Sequence, residues 1–424
     1  MYIKIGTTEY TEIQNLSFAP EADIIGTALP INKFSAVLVT TDHIDTGVAV
    51  SLYDDLDNLW ATYWLVFAEN IGGGMTEVRG ESYLTLLDRI KLAPAMYSSK
   101  SVPTLIGELF NSLGSTYYSL DSSFSSETVS GYCPEQTARE RLQWVLFVIS
   151  AYAKTFFTDK VEILPVDDTI TTIPENRTFW KPSVEYGDYV TAVKIKSYAY
   201  TAGTPANTDT WVQVGNTYYI QTEQVFTLSN SLAPASAPEN VVEVDGVTLI
   251  NGDNVSGIAT LLSTYYFKRI SVSADIINNG EQLPGDKITL HDVDGNLITG
   301  YIASCTFSFG KQARSAIKLV QTDVVEGGNL TIICLYNGMQ IAVQRYTLPV
   351  GYSYQIENPF VDSTIGMVRR IYRPVEEYAT GTVASSGTVD EEQYAIALEH
   401  KDQILTIYSV DDFTVSEQGV VSIA

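Results

Sequence analysis

The chain has 424 residues, 45% of them hydrophobic and 18% charged; this is the composition of a folded protein and excludes a disordered one. Its length exceeds what one core holds and implies about two to four domains. Its formal net charge of −25, from 50 acids against 25 bases, argues against a surface that grips nucleic acid, because phosphate contacts require Lys and Arg.

Four regions follow one another. The first, 1–93, is strand-rich: YIKI, FSAVLVT, VAVSLYDD, ATYWLVFAENI and TEVRG. Asp54, Asp55, Leu56 and Asp57 before Asn58 form a hairpin tip, since Asp and Asn accept turn geometries. A short helix follows in ESYLTLLDRI, with Leu84, Leu87 and Ile90 at helical spacing.

The second region, 94–182, carries the clearest helices. Ser101 is a good N-cap with Pro103 in the first turn, and Leu105, Ile106, Leu109 and Leu113 share one face before Gly114 stops the helix. After Gly131, Tyr132, Cys133 and Pro134 a longer helix is expected over Glu135–Phe157. Its inner face is Leu142, Val145, Leu146, Ile149 and Ala153, with Arg139 and Arg141 on or beside the polar side. The strand VEILPV completes an α/β packing module.

The third region, 183–322, returns to strands. YVTAVKIKSYAYT alternates, WVQVGNTYYI carries a Gly-Asn turn, and ENVVEVDGVTLI reads as a hairpin around Asp245 and Gly246. GIATLLSTYYFKRI supplies an amphipathic helix. Beyond it Pro284, Gly285 and Asp286, then Asp294 and Gly295, supply turns between strand-forming runs. The fourth region, 323–424, starts at a small-residue link, Glu326, Gly327 and Gly328, and continues through an Asn337-Gly338 turn.

The phrases SYLTLLDRI, GYCPEQTARERLQWV, YYFKR and the PGD that follows occur in this order over 1–322. In that order they resemble the baseplate-hub class of bacteriophage tail proteins. The resemblance implies a β-rich α+β fold: two small β-barrel domains, 1–93 and 183–322, an α/β insert at 94–182, and a C-terminal all-β or β-grasp-like module at 323–424. It also implies a homotrimer whose six barrels ring a channel, joining the tail-tube protein above to a spike or fibre protein below. DNA passes through such a ring without specific binding, and acids on the wall would repel its backbone. The chain would then be a virion component made in the host cytoplasm. ATGTVASSGTVDEEQYAIALEH, with the strands before it, resembles the MucBP-type β-grasp repeats of Gram-positive surface proteins. That likeness, with the supply of 27 Tyr, gives the rival reading, a glycan-binding adhesin module that recognises the host cell wall.

Catalytic arrangements are not signalled, so no catalytic, cofactor-binding or metal residue is assigned, no cofactor is expected, and the chain is read as not an enzyme. There is no G-x-S-x-G elbow or phosphate loop. Ser315 and Lys318 match S-x-x-K but fall in a strand, where residues three apart face opposite sides. Cys133 could be paired on paper with His43, His291 or His400, and a place near a helix start would lower its pKa. Cys305 and Cys334, like Cys133, match no paired spacing and read as buried small hydrophobes. Asp292, Asp294 and Asn296 look like the start of a calcium loop, but Leu297 and Ala303 stand where Gly and Glu are required. The segment RLQWVLFVISAYAK is too short and too closely flanked by charge to span a bilayer. The start MYIKIGTTEY has no apolar core of a signal peptide, so no export is expected.

Overall fold

The alternation in YIKI is realised as the strand β1, Tyr2–Ile5, with Ile3 and Ile5 buried and Tyr2 and Lys4 partly exposed. This is the period of two that a sheet with one wet face demands. The structure, a computed structural model, describes residues 1–173, 177–278, 280–291, 297–308 and 314–325, with side chains up to 324 except at Trp180, Lys181 and His291. Beyond these it describes the backbone of nine strands between 328 and 423. The chain divides into two compact units. The first comprises Met1–Thr171, Pro182–Ile288 and Gly300–Thr322; the second comprises Thr172–Lys181, Thr289–Thr299 and Asp323–Ala424.

In the first unit the N-terminal strands are β1, β2 (Thr8–Tyr10), β3 (Ile13–Phe18), β4 (Lys33–Val39), β5 (Ala49–Tyr53), β6 (Leu59–Gly72) and β7 (Met75–Glu81). They lie in the order β3-β4-β7-β6-β5-β1-β2. The sheet continues past β3 into strands from the third sequence region: Leu297–Ser308, Arg314–Val325 and Ile270–Ile277. Phe307 opposite Phe18 makes the join. Around it Phe18, Trp60, Phe157 and Phe307 pack ring on ring, with centroids 4.8–6.3 Å apart. Aromatic contacts of this kind add specificity to the large apolar area they bury.

Helix α1 covers Leu84–Leu87, α2 Val102–Leu109, α3 Ala138–Val148 and α4 Val255–Tyr266. Ser101 caps α2 as its sequence demands, accepting from the Thr104 amide, and Leu105, Ile106 and Leu109 are buried. Thr137 and Glu140 form a reciprocal capping box at the start of α3. The long helix expected over Glu135–Phe157 is shorter than that. It stops at Ile149, Ser150 turns with φ 55°, and Ala151–Lys154 becomes a strand paired with Val161–Pro165. The apolar run after Val148 suits either a helix or a buried strand, and the neighbouring strand decides it.

A second small sheet runs Trp211–Val214, Thr217–Ser229, Ala192–Ala202, Val241–Val244. The turn at Gly215 and Asn216 forms as expected, with Gly215 at φ +59°. Asp245 and Gly246 do not close a hairpin: the preceding Val241–Val244 pairs in parallel with Ala192–Ile195. Helix α4 packs on this sheet through Ile258 and Leu262 against Val193, Ile195, Phe226 and Leu228.

Within the second unit, one sheet has the order Met339–Leu348, Gly328–Tyr336, Gln403–Ser409, Gln393–His400, Ser385–Asp390. The other runs Tyr372–Pro374, Tyr352–Gln355, Val420–Ile423, Phe413–Val415. The Asp294-Gly295 and Asn337-Gly338 turns and Glu326 and Gly327 lie outside the described residues, as does most of the side-chain detail on which the β-grasp likeness rests.

Candidate functional site

Among the described residues, those singled out as chemistry-bearing are not brought together. Cys133 does not start a helix; it ends the strand Thr128–Cys133 and is fully buried. Burial pushes its thiol up to about 12, opposite to the lowering expected of a helix start. His43 is at the surface, 3.2 Å from Asp45, and the side chains of His291 and His400 lie outside the described residues. Cys305 is likewise buried and raised to about 12 by burial, with its Sγ 3.8 Å from the Gln282 carbonyl. Ser315 is buried and Lys318 exposed, so the Ser-Lys pair points to two faces. Asp292 to Asn296 lie outside the described residues. Among the described residues no group of three or more His, Cys, Asp or Glu side chains could hold a metal ion. Among them, too, no helix is long and apolar enough to cross a membrane.

Arg139 and Arg141 behave differently from each other and from a solvated helix face. Arg139 pairs with Asp88 at 2.7 Å and donates to the Leu29 carbonyl at 2.9 Å. Arg141 is 4% exposed. It donates to the Ala93 and Pro134 carbonyls, each at 2.9 Å, and to the Tyr97 hydroxyl at 3.2 Å. These bonds tie the start of α3 to the strand and loop beside it. Helical spacing puts Arg141 close to the polar side, so only tertiary packing reveals its burial.

One cluster emerges that local sequence did not signal. Asp168 accepts from Lys287 at 2.9 Å and from the Tyr301 hydroxyl. The Tyr301 hydroxyl and then the Lys287 ammonium hold its carboxyl below the usual range. Nearby, Asp286 accepts from the Leu283 amide at 2.8 Å, and burial raises its carboxyl. The signal for this cluster is spread over more than a hundred residues of sequence, from Asp168 to Tyr301, so no motif search finds it.

Of the clefts on the first unit among the described residues, two are larger than the one of about 150 Å³ beside His43. One of about 350 Å³ is lined by Asp23, Thr27, Tyr265, Tyr266, Ser304 and Lys318. The Asp23 carboxylate there is occupied by its own loop, accepting from the Ile25 and Ala28 amides and the Thr27 hydroxyl. The other, about 790 Å³, lies over β4 and β7, where Lys33 pairs with Glu81 and Arg79 with Glu77 at 2.9 and 2.7 Å. In the second, opposite charges are matched within the chain.

What the chain resembles is an architecture. No known family pattern and no curated protein matches its sequence. Among solved structures it is similar to a tail protein from Neisseria meningitidis MC58, at 9% identity and a TM-score of 0.54, over 75% of this chain and 95% of that one. It is also similar to the 43 kDa tail protein of prophage MuSo2 from Shewanella oneidensis, at 12% identity and a TM-score of 0.52, over 75% of this chain and 97% of that one. Over that share the chain has the fold of these tail proteins.

Proposed function

We propose that this chain is a structural component of a phage tail or phage-like injection particle, acting as a hub at the tail tip. The observation that carries this reading is the continuous sheet that joins β3 to Leu297–Ser308 while the helical module is inserted between them in sequence. Over 75% of the chain the fold is similar to that of two tail proteins, matched along 95% and 97% of their own lengths. In this reading 1–93 and 183–322 are the two hub domains, 94–182 the insert and 323–424 an added module. Three copies form a ring, the tail-tube protein binds one side and a spike or fibre the other. The 25 acids in excess leave a wall across which a phosphate backbone slides without being held.

The reading is tested by deleting the gene from a strain that produces the particle. Tails without a formed tip, restored by the gene in trans, are the expected outcome. Fully assembled and infective particles would contradict it.

A further inference from the structure

The hairpin of Ala192–Ala202 with Thr217–Ser229 is longer than the structure that covers it. Its base is buried: Val193 stands opposite Leu228 and Ile195 opposite Phe226, all under α4. The Val241–Val244 strand also supports only the base, pairing with Ala192–Ile195. Side chains alternate faces along a strand, so Tyr218 and Ile220 fall on the same face as Phe226. Trp211, opposite Ile220, joins them there. These three lie outside the cluster under α4. Trp211 is 46% and Tyr218 38% exposed, their rings edge to face at 5.1 Å. Among the described residues the outermost strand, Trp211–Val214, pairs on one side only. It carries none of the Lys or Pro that ordinarily blunt such an edge.

The charge pattern says what fits there. From Ala199 to Thr222 the sequence holds a single charged residue, Asp209, in a chain that is 18% charged overall. Asp209 is used locally, accepting from the Ala206 amide at 2.7 Å. An oppositely charged partner would find nothing to pair with on this arm. A second copy of the chain, itself carrying −25, is repelled by most of this surface and least by the uncharged arm. Interface cores are depleted in charge and enriched in Tyr and Trp, and an open strand edge adds backbone hydrogen bonds to a neighbour. Because the edge is at one side of the sheet, a contact through it to a different surface of the next copy is head-to-tail, the kind that closes into rings.

We infer that the distal arm, Ala199–Thr222, is a contact between copies of this chain. The inference rests on the ring reading above and names the surface that makes the ring. The test is sedimentation equilibrium of the full chain. The wild type assembles, and more tightly when salt rises to about 0.5 M, because shorter screening lengths weaken the repulsion between acidic copies. The double variant Trp211→Asp, Tyr218→Asp loses at least about tenfold in association, and Gln213→Lys on the same strand also weakens it. Trp211→Phe and Val225→Asp, the latter on the opposite face of the hairpin, assemble like the wild type. Assembly by the double variant and by Gln213→Lys at wild-type strength would overturn the arm as the contact and leave the ring reading standing. A wild type that never assembles, either alone or with the neighbouring tail-tube and spike proteins, would overturn both.

Discussion

Phe307 stands directly opposite Phe18 across an antiparallel pair, and the two rings stack with centroids 5.8 Å apart and planes 25° from parallel. The two residues lie almost at opposite ends of the first unit's sequence, so this pair closes the sheet that the helical module would otherwise leave divided. Phe307→Ala should therefore cost about 3–5 kcal/mol, as truncating a buried Phe does. Urea unfolding followed by tryptophan fluorescence checks this, since Trp60 packs 4.8 Å from the Phe307 ring. A loss of less than about 1 kcal/mol would show that the join contributes little.

Gly285 sits at φ +101°, and a Cβ there would come within 2.7 Å of the Tyr152 hydroxyl. Gly285→Ala meets both a conformation that L residues avoid and a clash, together about 1–3 kcal/mol or more. Removing the ring with Tyr152→Ala relieves the clash and leaves the backbone strain. The same glycine substitution should thus cost less in that background, a non-additivity that a double-mutant cycle reads directly. Equal costs in both backgrounds would contradict the close approach.

Cys133 and Cys305 are buried with thiols raised to about 12. Since the thiolate is the reactive form, iodoacetamide at pH 8 should leave both unmodified in the native chain and label both after unfolding, as read by peptide mass spectrometry. Rapid native labelling of Cys133 would revive a nucleophilic role.

Two neighbouring carboxylates should respond to acid in opposite ways. Asp168, held low by Tyr301 and Lys287, contributes stability that is present above the unfolded value of about 3.9 and lost as pH falls through its folded value. The pair is largely open to solvent on the Asp168 side, so Asp168→Asn should cost only about 0.5–1 kcal/mol near neutrality, and the difference should vanish in acid. Asp286 is raised by burial. Its carboxyl takes up a proton more readily folded than unfolded, so falling pH above about 3.9 favours the folded chain through it. Asp286→Asn should remove that gain. Chemical denaturation of the two variants between pH 3.5 and 7, values chosen to bracket that ordinary carboxylate pKa of about 3.9, separates the signs. A shared direction would contradict the assignment.

Much of the fold was legible where the determinants are local. The Asp54 tip closes as its residues demand, with Asp54 accepting from the Leu56 and Asn58 amides, each at 2.8 Å. The Ser101 cap and the Gly215-Asn216 turn are equally local. Misreadings came where a distant strand decides. The stretch after Val148 is apolar enough for a helix, yet it pairs with Val161–Pro165. Asp245 and Gly246 have hairpin chemistry, but the strand before them is taken in parallel by Ala192–Ile195. Arg141 looked nearly solvated because helical spacing says nothing of the carbonyls at Ala93 and Pro134. The opposite faces of Ser315 and Lys318 were readable from spacing. The Asp168, Lys287 and Tyr301 cluster was not, because its parts meet only in the folded chain.

The mass of the purified full-length chain in solution, measured by light scattering at high protein concentration with and without the neighbouring tail-tube and spike proteins, tests the structural-hub account most directly. The account predicts a species of three times the 46.6 kDa chain mass, or its capture into a complex with the tube or the spike. A strict monomer that binds neither would contradict it.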